Sequence, residues 1–139
     1  MKRLMLFMLF LSIGAKVFSM DRELTIELRN IVLNAGKIYV AIYNSESTYK
    51  KDEPLKSYII DPTNITLKIS VIIPEGFYLV SAFQDFNGNK ELDLGFLGIP
   101  KEPIWLSNYD GKGIPGGFEK IKFELSGINQ TIIINKVMF

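Results

Sequence analysis

Residues 64–73 alternate in a period of two. Ile65, Leu67, Ile69, Val71 and Ile73 fall on one side, and Thr66, Lys68 and Ser70 fall on the other. A strand with one buried face produces that pattern, whereas a helix would repeat every 3.6 residues. The same period recurs along the chain. Leu24, Ile26 and Leu28 alternate with Thr25, Glu27 and Arg29. Ile38, Val40 and Ile42 alternate with Tyr39, Ala41 and Tyr43. Asn34-Ala35-Gly36 separates these two runs, and the short break predicts a hairpin between them. Residues 44–54 read as polar and irregular, and residues 57–60 as a short edge strand.

Pro74-Glu75-Gly76 reads as a turn, with Pro presetting φ and Gly allowing positive φ. Residues 77–83 return as a strand whose near-continuous apolar character predicts burial on both faces. Residues 118–125 alternate again, and Ser126-Gly127 turns the chain into a last strand over residues 131–138. No segment shows a convincing amphipathic helix. The expected fold is therefore all-β: an antiparallel β-sandwich of about seven strands, immunoglobulin-like or transthyretin-like, with Greek-key connections.

The first residues read differently. Lys2-Arg3 is followed by an apolar run over residues 4–15, broken only by Ser12 and Gly14. Val17-Phe18-Ser19 then places small or medium residues where a leader peptidase cuts. Residues 1–19 are expected to be a signal peptide, cleaved before Met20, with residues 20–139 as one exported domain, periplasmic or extracellular. The alternative is a membrane anchor, but the run is about 12 residues and a span needs about 20. No later segment is long and apolar enough to span, so no membrane span is expected after cleavage.

The chain has 139 residues, is 47% hydrophobic and 22% charged, and carries a formal net charge of +1. That is enough to bury a core, and no basic block exists to bind nucleic acid. It has no His and no Cys. Disulfides are thereby excluded, as are Ser-His-Asp and Cys-His catalytic systems. Zinc and copper sites of the usual kinds need imidazole or thiolate. Oxygen-ligated calcium or magnesium remains open.

Residues 84–117 contain little strand pattern, and unstructured loops beyond about 12–15 residues are uncommon unless functional or disordered. This one carries Phe86, Phe96, Leu97, Trp105 and Tyr109, which argues for order. It opens on Asp85-Phe86-Asn87-Gly88-Asn89-Lys90-Glu91-Leu92-Asp93. Oxygen-bearing side chains at 85, 87, 89, 91 and 93 have the alternate spacing of a calcium loop, and Glu102 is a candidate additional carboxylate. The pattern departs from an EF-hand: Lys90 stands where Gly is expected, and Phe96 where the bidentate Glu is expected. The competing reading is turn chemistry, in which Asp and Asn bond their own backbone.

Trp105 and Tyr109 are weaker candidates for an aromatic platform that would take a sugar or other small ligand. Asp85, Asp93 and Glu102 would suit a carboxylate pair in a small hydrolase, but a chain of this size leaves little room for a deep cleft. The expected role is a non-catalytic binding or structural module whose partner is a cell-envelope protein or glycan.

The segments Pro74-Glu75-Gly76-Phe77-Tyr78, Phe83-Gln84-Asp85-Phe86-Asn87-Gly88-Asn89-Lys90-Glu91-Leu92-Asp93 and Phe96-Leu97-Gly98-Ile99-Pro100-Lys101-Glu102-Pro103 together resemble the bacterial exported family known as domain of unknown function 2141 (DUF2141). Gly36-Lys37-Ile38-Tyr39-Val40-Ala41-Ile42-Tyr43 and Phe118-Glu119-Lys120-Ile121-Lys122-Phe123 continue the likeness in the same order. The resemblance implies a secreted β-sandwich and no established activity. It also implies a His before the loop aspartate, where this chain has Gln84.

Overall fold

The computed structural model describes residues 20–139, so the signal peptide expected over residues 1–19 lies outside the described residues. The elements are β1 (Asp21–Arg29), β2 (Ile38–Tyr43), α1 (Glu46–Lys50), β3 (Lys56–Ile60), β4 (Thr66–Pro74), β5 (Gly76–Gln84), β6 (Ile104–Leu106), α2 (Phe118–Ile121), β7 (Phe123–Leu125) and β8 (Gln130–Asn135). They build two sheets. One has the order β4-β1-β8, the other β3-β2-β5-β6, with β7 also paired to β5. All strand pairs are antiparallel except β1 with β8. The result is a mostly antiparallel, two-sheet sandwich with minimal helix.

Period-two patterning decides which side chains enter the core. Leu24, Ile26 and Leu28 of β1 join Ile69, Val71 and Ile73 of β4 on the inner face of the first sheet. Across from them lie Ile38, Val40 and Ile42 of β2 and Tyr78, Val80 and Ala82 of β5. Burying each aliphatic side chain of this kind contributes about 1.5–3 kcal/mol. Trp105 completes this core. It is 0% exposed, and its Nε1 donates to the Arg29 carbonyl at 2.8 Å.

The double burial expected of residues 77–83 is met only in part: Tyr78, Leu79 and Val80 are buried in succession, whereas Phe77 is 48% exposed and Ser81 and Phe83 are half-buried. Leu79 and Phe83 face outward from β5, yet they pack in a second cluster with Tyr43, Ile104, Leu106, Phe118 and Ile121. Helix α2 covers that part of the sheet.

Four expectations are corrected. β1 and β2 do not form a hairpin: each lies in a different sheet, and their apolar faces meet across the core. Pro74-Glu75-Gly76 likewise carries the chain from the first sheet to the second rather than folding β5 back onto β4. Residues 118–125 are not one strand. Phe118 and Ile121, three apart, share a face only on a helical turn, and both are buried that way. Finally, the irregular stretches contain short elements. α1 is capped by Ser45, whose Oγ accepts the Thr48 N–H at 3.2 Å. β6 interrupts residues 84–117 and pairs with Ser81, Ala82 and Phe83. Three apolar residues in a row were too few to reveal a strand. Among the described residues no helix is long and apolar enough to cross a membrane.

Candidate functional site

The Asp/Asn loop begins where β5 ends, and that junction is tightly fixed. Gln84 is fully buried. Its Oε1 accepts the Val32 N–H at 3.2 Å, while its Nε2 donates to the Val32 and Gly36 carbonyls at 2.7 and 3.1 Å. The Asp85 N–H donates to the Lys37 carbonyl at 2.9 Å. Gly36 lies so near this junction that a Cβ on it would stand 1.4 Å from the Asp85 carbonyl oxygen. No side chain fits there.

From this anchor the loop closes on itself. Asp85 is buried, and its two carboxylate oxygens accept the N–H groups of Gly88 and Lys90, each at 2.8 Å. Asn87 Oδ1 accepts the Asn89 N–H, and Asn89 Oδ1 accepts the Glu91 N–H. The Nδ2 groups of both asparagines donate to the two oxygens of Asp93, at 2.5 and 3.0 Å. Glu102 then clasps the ends: its oxygens accept the Phe86 N–H at 2.7 Å and the Asp93 N–H at 3.1 Å.

Asp85, Asn87, Asn89, Asp93 and Glu102 therefore come together as the sequence suggests, but in the geometry of turn chemistry. Every oxygen of the three carboxylates already receives an N–H donor. Among the described residues no three acidic side chains gather in a cluster that could hold a metal ion. Glu91 joins the network through its backbone N–H and also lines a groove beside the loop.

That groove has a volume of about 660 Å³ and lies on the outer face of the second sheet. Tyr39, Ala41 and Tyr43 of β2 and Ser81 and Phe83 of β5 line its floor, and Lys90, Glu91 and Leu92 of the Asp/Asn loop line it as well. Asp52, Pro54, Ser57 and Ile59 supply another side. Tyr39 and Phe83 are register partners across the strands, and their rings stack with centroids 5.0 Å apart and planes 9° from parallel. The Tyr43 hydroxyl donates to Asp52 Oδ1 at 2.5 Å. Burial first, then this bond and the Asp52 charge, push the Tyr43 phenol well above its ordinary value.

The aromatic pair expected to bind a ligand is split apart. Trp105 is sealed between the sheets and offers no ring face, so its role is core packing. Tyr109 stands at a separate cleft of about 400 Å³ with Lys112 and Pro115, and its hydroxyl donates to the Gly113 carbonyl at 2.6 Å. The groove aromatics were legible in part. Tyr39 and Tyr43 sit on the face of β2 that alternation assigns to the outside, where large rings need a reason to be; Phe83 lies in a run with no alternation to place it.

No match is found among curated proteins or among solved structures. One family model does match, over residues 26–133, and its description is "Uncharacterized protein conserved in bacteria (DUF2141)". That span runs from the middle of β1 into β8 and takes in the groove, the Asp/Asn loop and Glu102, so the chain belongs to the DUF2141 family.

Proposed function

We propose that the outer-face groove binds a ligand with a sugar-like ring, and that the chain is an exported, non-catalytic binding module of the bacterial cell envelope. The observation that carries this reading is the stacked Tyr39–Phe83 floor bordered by polar groups. The C–H face of a sugar ring packs on aromatic rings, and Ser57, Ser81, Asp52, Lys90 and Glu91 offer donors and acceptors for its hydroxyls. The volume falls within the range of about 300–1,000 Å³ usual for small-ligand sites. Export rests on Lys2-Arg3 and the apolar run that follows. The hydrogen-bonded Asp/Asn loop acts as a brace that holds Lys90, Glu91 and Leu92 beside the floor, which is the pre-organisation a binding site needs.

The test is a glycan array followed by titration calorimetry on the best hit. Tyr39→Ala and Phe83→Ala should each weaken binding about tenfold or more, since an aromatic contact contributes about 1 kcal/mol beyond the area it buries. A blank array, or affinity that is indifferent to both substitutions, would remove the groove as a sugar site.

A further inference from the structure

Strand register gives the outer-face groove a direction. Ser57 of β3, Ala41 of β2, Ser81 of β5 and Leu106 of β6 are successive register partners, so they form one row across four strands. The first three are small. Beside them runs a second row of Ile59, Tyr39, Phe83 and Ile104, which carries the stacked rings. On the other side of the small row stands Tyr43, two positions beyond Ala41 on the same face of β2. Tyr39 and Tyr43 are four positions apart, which is about 13 Å of strand. The slot between them therefore runs across the strands, with Ala41 at its middle.

Exposure falls along both rows in the same sense. Ser57 is exposed, Ala41 and Ser81 are half-buried, and Leu106 is buried. Ile59 is exposed, Tyr39 and Phe83 are half-buried, and Ile104 is buried. β3 is the edge of its sheet, so the slot opens there. At β6 it ends. Leu106 packs with Phe118 and Ile121 of α2. The neighbouring Ser107 Oγ accepts the Val80 N–H at 3.1 Å and donates to the Ile121 carbonyl at 2.7 Å, which pins α2 to the sheet at the closed end. From Ser57 to Ser81 the slot crosses two strand spacings, about 10 Å.

We propose, resting on the sugar-binding reading of this groove, that the slot receives the terminus of a linear glycan, entering from the β3 edge. A glycan held through its interior units must leave a site at both ends, and this slot has one exit. The hydroxyls of Ser57 and Ser81 flank Ala41 and can each donate to or accept from a hydroxyl of the end unit. Ala41 supplies the room. A larger side chain at that position would fill the slot at its middle.

The experiment is titration calorimetry of the protein with linear cello-, chito- and malto-oligosaccharides, each in a short and a long form, and with cyclodextrin, a malto ring that has no end. The wild type should bind at one protein per chain whatever the chain length, and it should ignore cyclodextrin. Ala41→Leu should weaken binding about tenfold or more with an unchanged melting temperature. Ser57→Leu obstructs the exposed mouth without touching a buried group and should weaken binding in the same direction. Three results would overturn the terminus and leave the sugar reading standing: binding that Tyr39→Ala lowers but neither obstruction does, a protein count that rises with chain length, or capture of cyclodextrin. Silence from every series and from a glycan array, or binding indifferent to Tyr39→Ala, would overturn both.

Discussion

Glu102 Oε1 accepts the Phe86 backbone N–H at 2.7 Å across sixteen positions of sequence. Its second oxygen holds the Asp93 N–H, so one carboxylate closes a loop that no disulfide could close in a chain without cysteine. Glu102→Ala would leave two N–H donors without partners beside a buried position. The expected loss is about 2–4 kcal/mol of unfolding free energy. Glu102→Gln keeps one acceptor and should lose less. Urea denaturation of the three proteins measures the difference, and equal midpoints would mean that the clasp contributes nothing.

Gln84 supports the same region from inside. Gln84→Ala removes three hydrogen bonds to Val32 and Gly36 at a fully buried site, for an expected loss of about 2–4 kcal/mol. Gln84→His, the residue implied by the family resemblance, has one donor and one acceptor. It should fall between the wild type and Ala in the same urea series. A His variant less stable than Ala would show that the pocket is shaped for the amide alone.

Gly36→Ala tests a purely steric relation. The new Cβ would overlap the Asp85 carbonyl oxygen, so backbone must move on both sides. The expected cost is about 3 kcal/mol or more, read as a fall in soluble yield and in melting temperature. A fully stable variant would contradict the close approach.

Much of this was readable from the residues themselves. Alternation in Ile69, Val71 and Ile73 assigns the core face of β4 with no further information, because a strand expresses its environment locally. The membership of the loop network was legible as well, since Asp85, Asn87, Asn89 and Asp93 are close in sequence. What could not be read is pairing at a distance. Nothing in Asn34-Ala35-Gly36 says whether the next strand pairs beside β1 or packs across from it. Gln84 reaches Val32, and Tyr39 meets Phe83, through contacts that only the assembled sheets create. Trp105 is only a weak platform candidate from sequence, where core packing is the commoner fate of such a ring, and it proves to be core; its three-residue strand is too short to show a period.

Calcium provides a further measurement. With both oxygens of Asp85, Asp93 and Glu102 engaged by N–H donors, millimolar calcium should leave the melting temperature unchanged, and chelator should do the same. A rise of several degrees, reversed by chelator, would mean that the asparagine amides turn over and that the loop is an ion site after all.

Acid should act on the opposite sheet. Glu27 bonds Arg29 at 2.6 Å and faces Lys68 at 3.3 Å. The Arg29 bond first, with Lys68 adding and burial opposing, holds its carboxyl below the ordinary value of 4.5. A depressed folded value means that the contribution is whole above 4.5 and fades as pH falls through the lower folded one. Glu27→Gln should therefore lower the neutral plateau and flatten that part of the acid-unfolding profile, since it removes beforehand the contribution that acid would remove. A profile that keeps its slope would assign acid sensitivity to other carboxylates.

The parallel pairing of β1 with β8 sets an order of events. Leu24 of β1 is the register partner of Gln130 in β8, more than a hundred positions later. Until β8 arrives, β1 keeps one hydrogen-bonding edge open, and a partly made chain exposes a nine-residue strand able to pair with a neighbour. The three-stranded sheet is thus the last part of the molecule that can be completed, and such distant closure belongs to folding on the scale of milliseconds to seconds. β1 waits at the centre of its sheet for β8, so that sheet is finished only when these two distant segments meet.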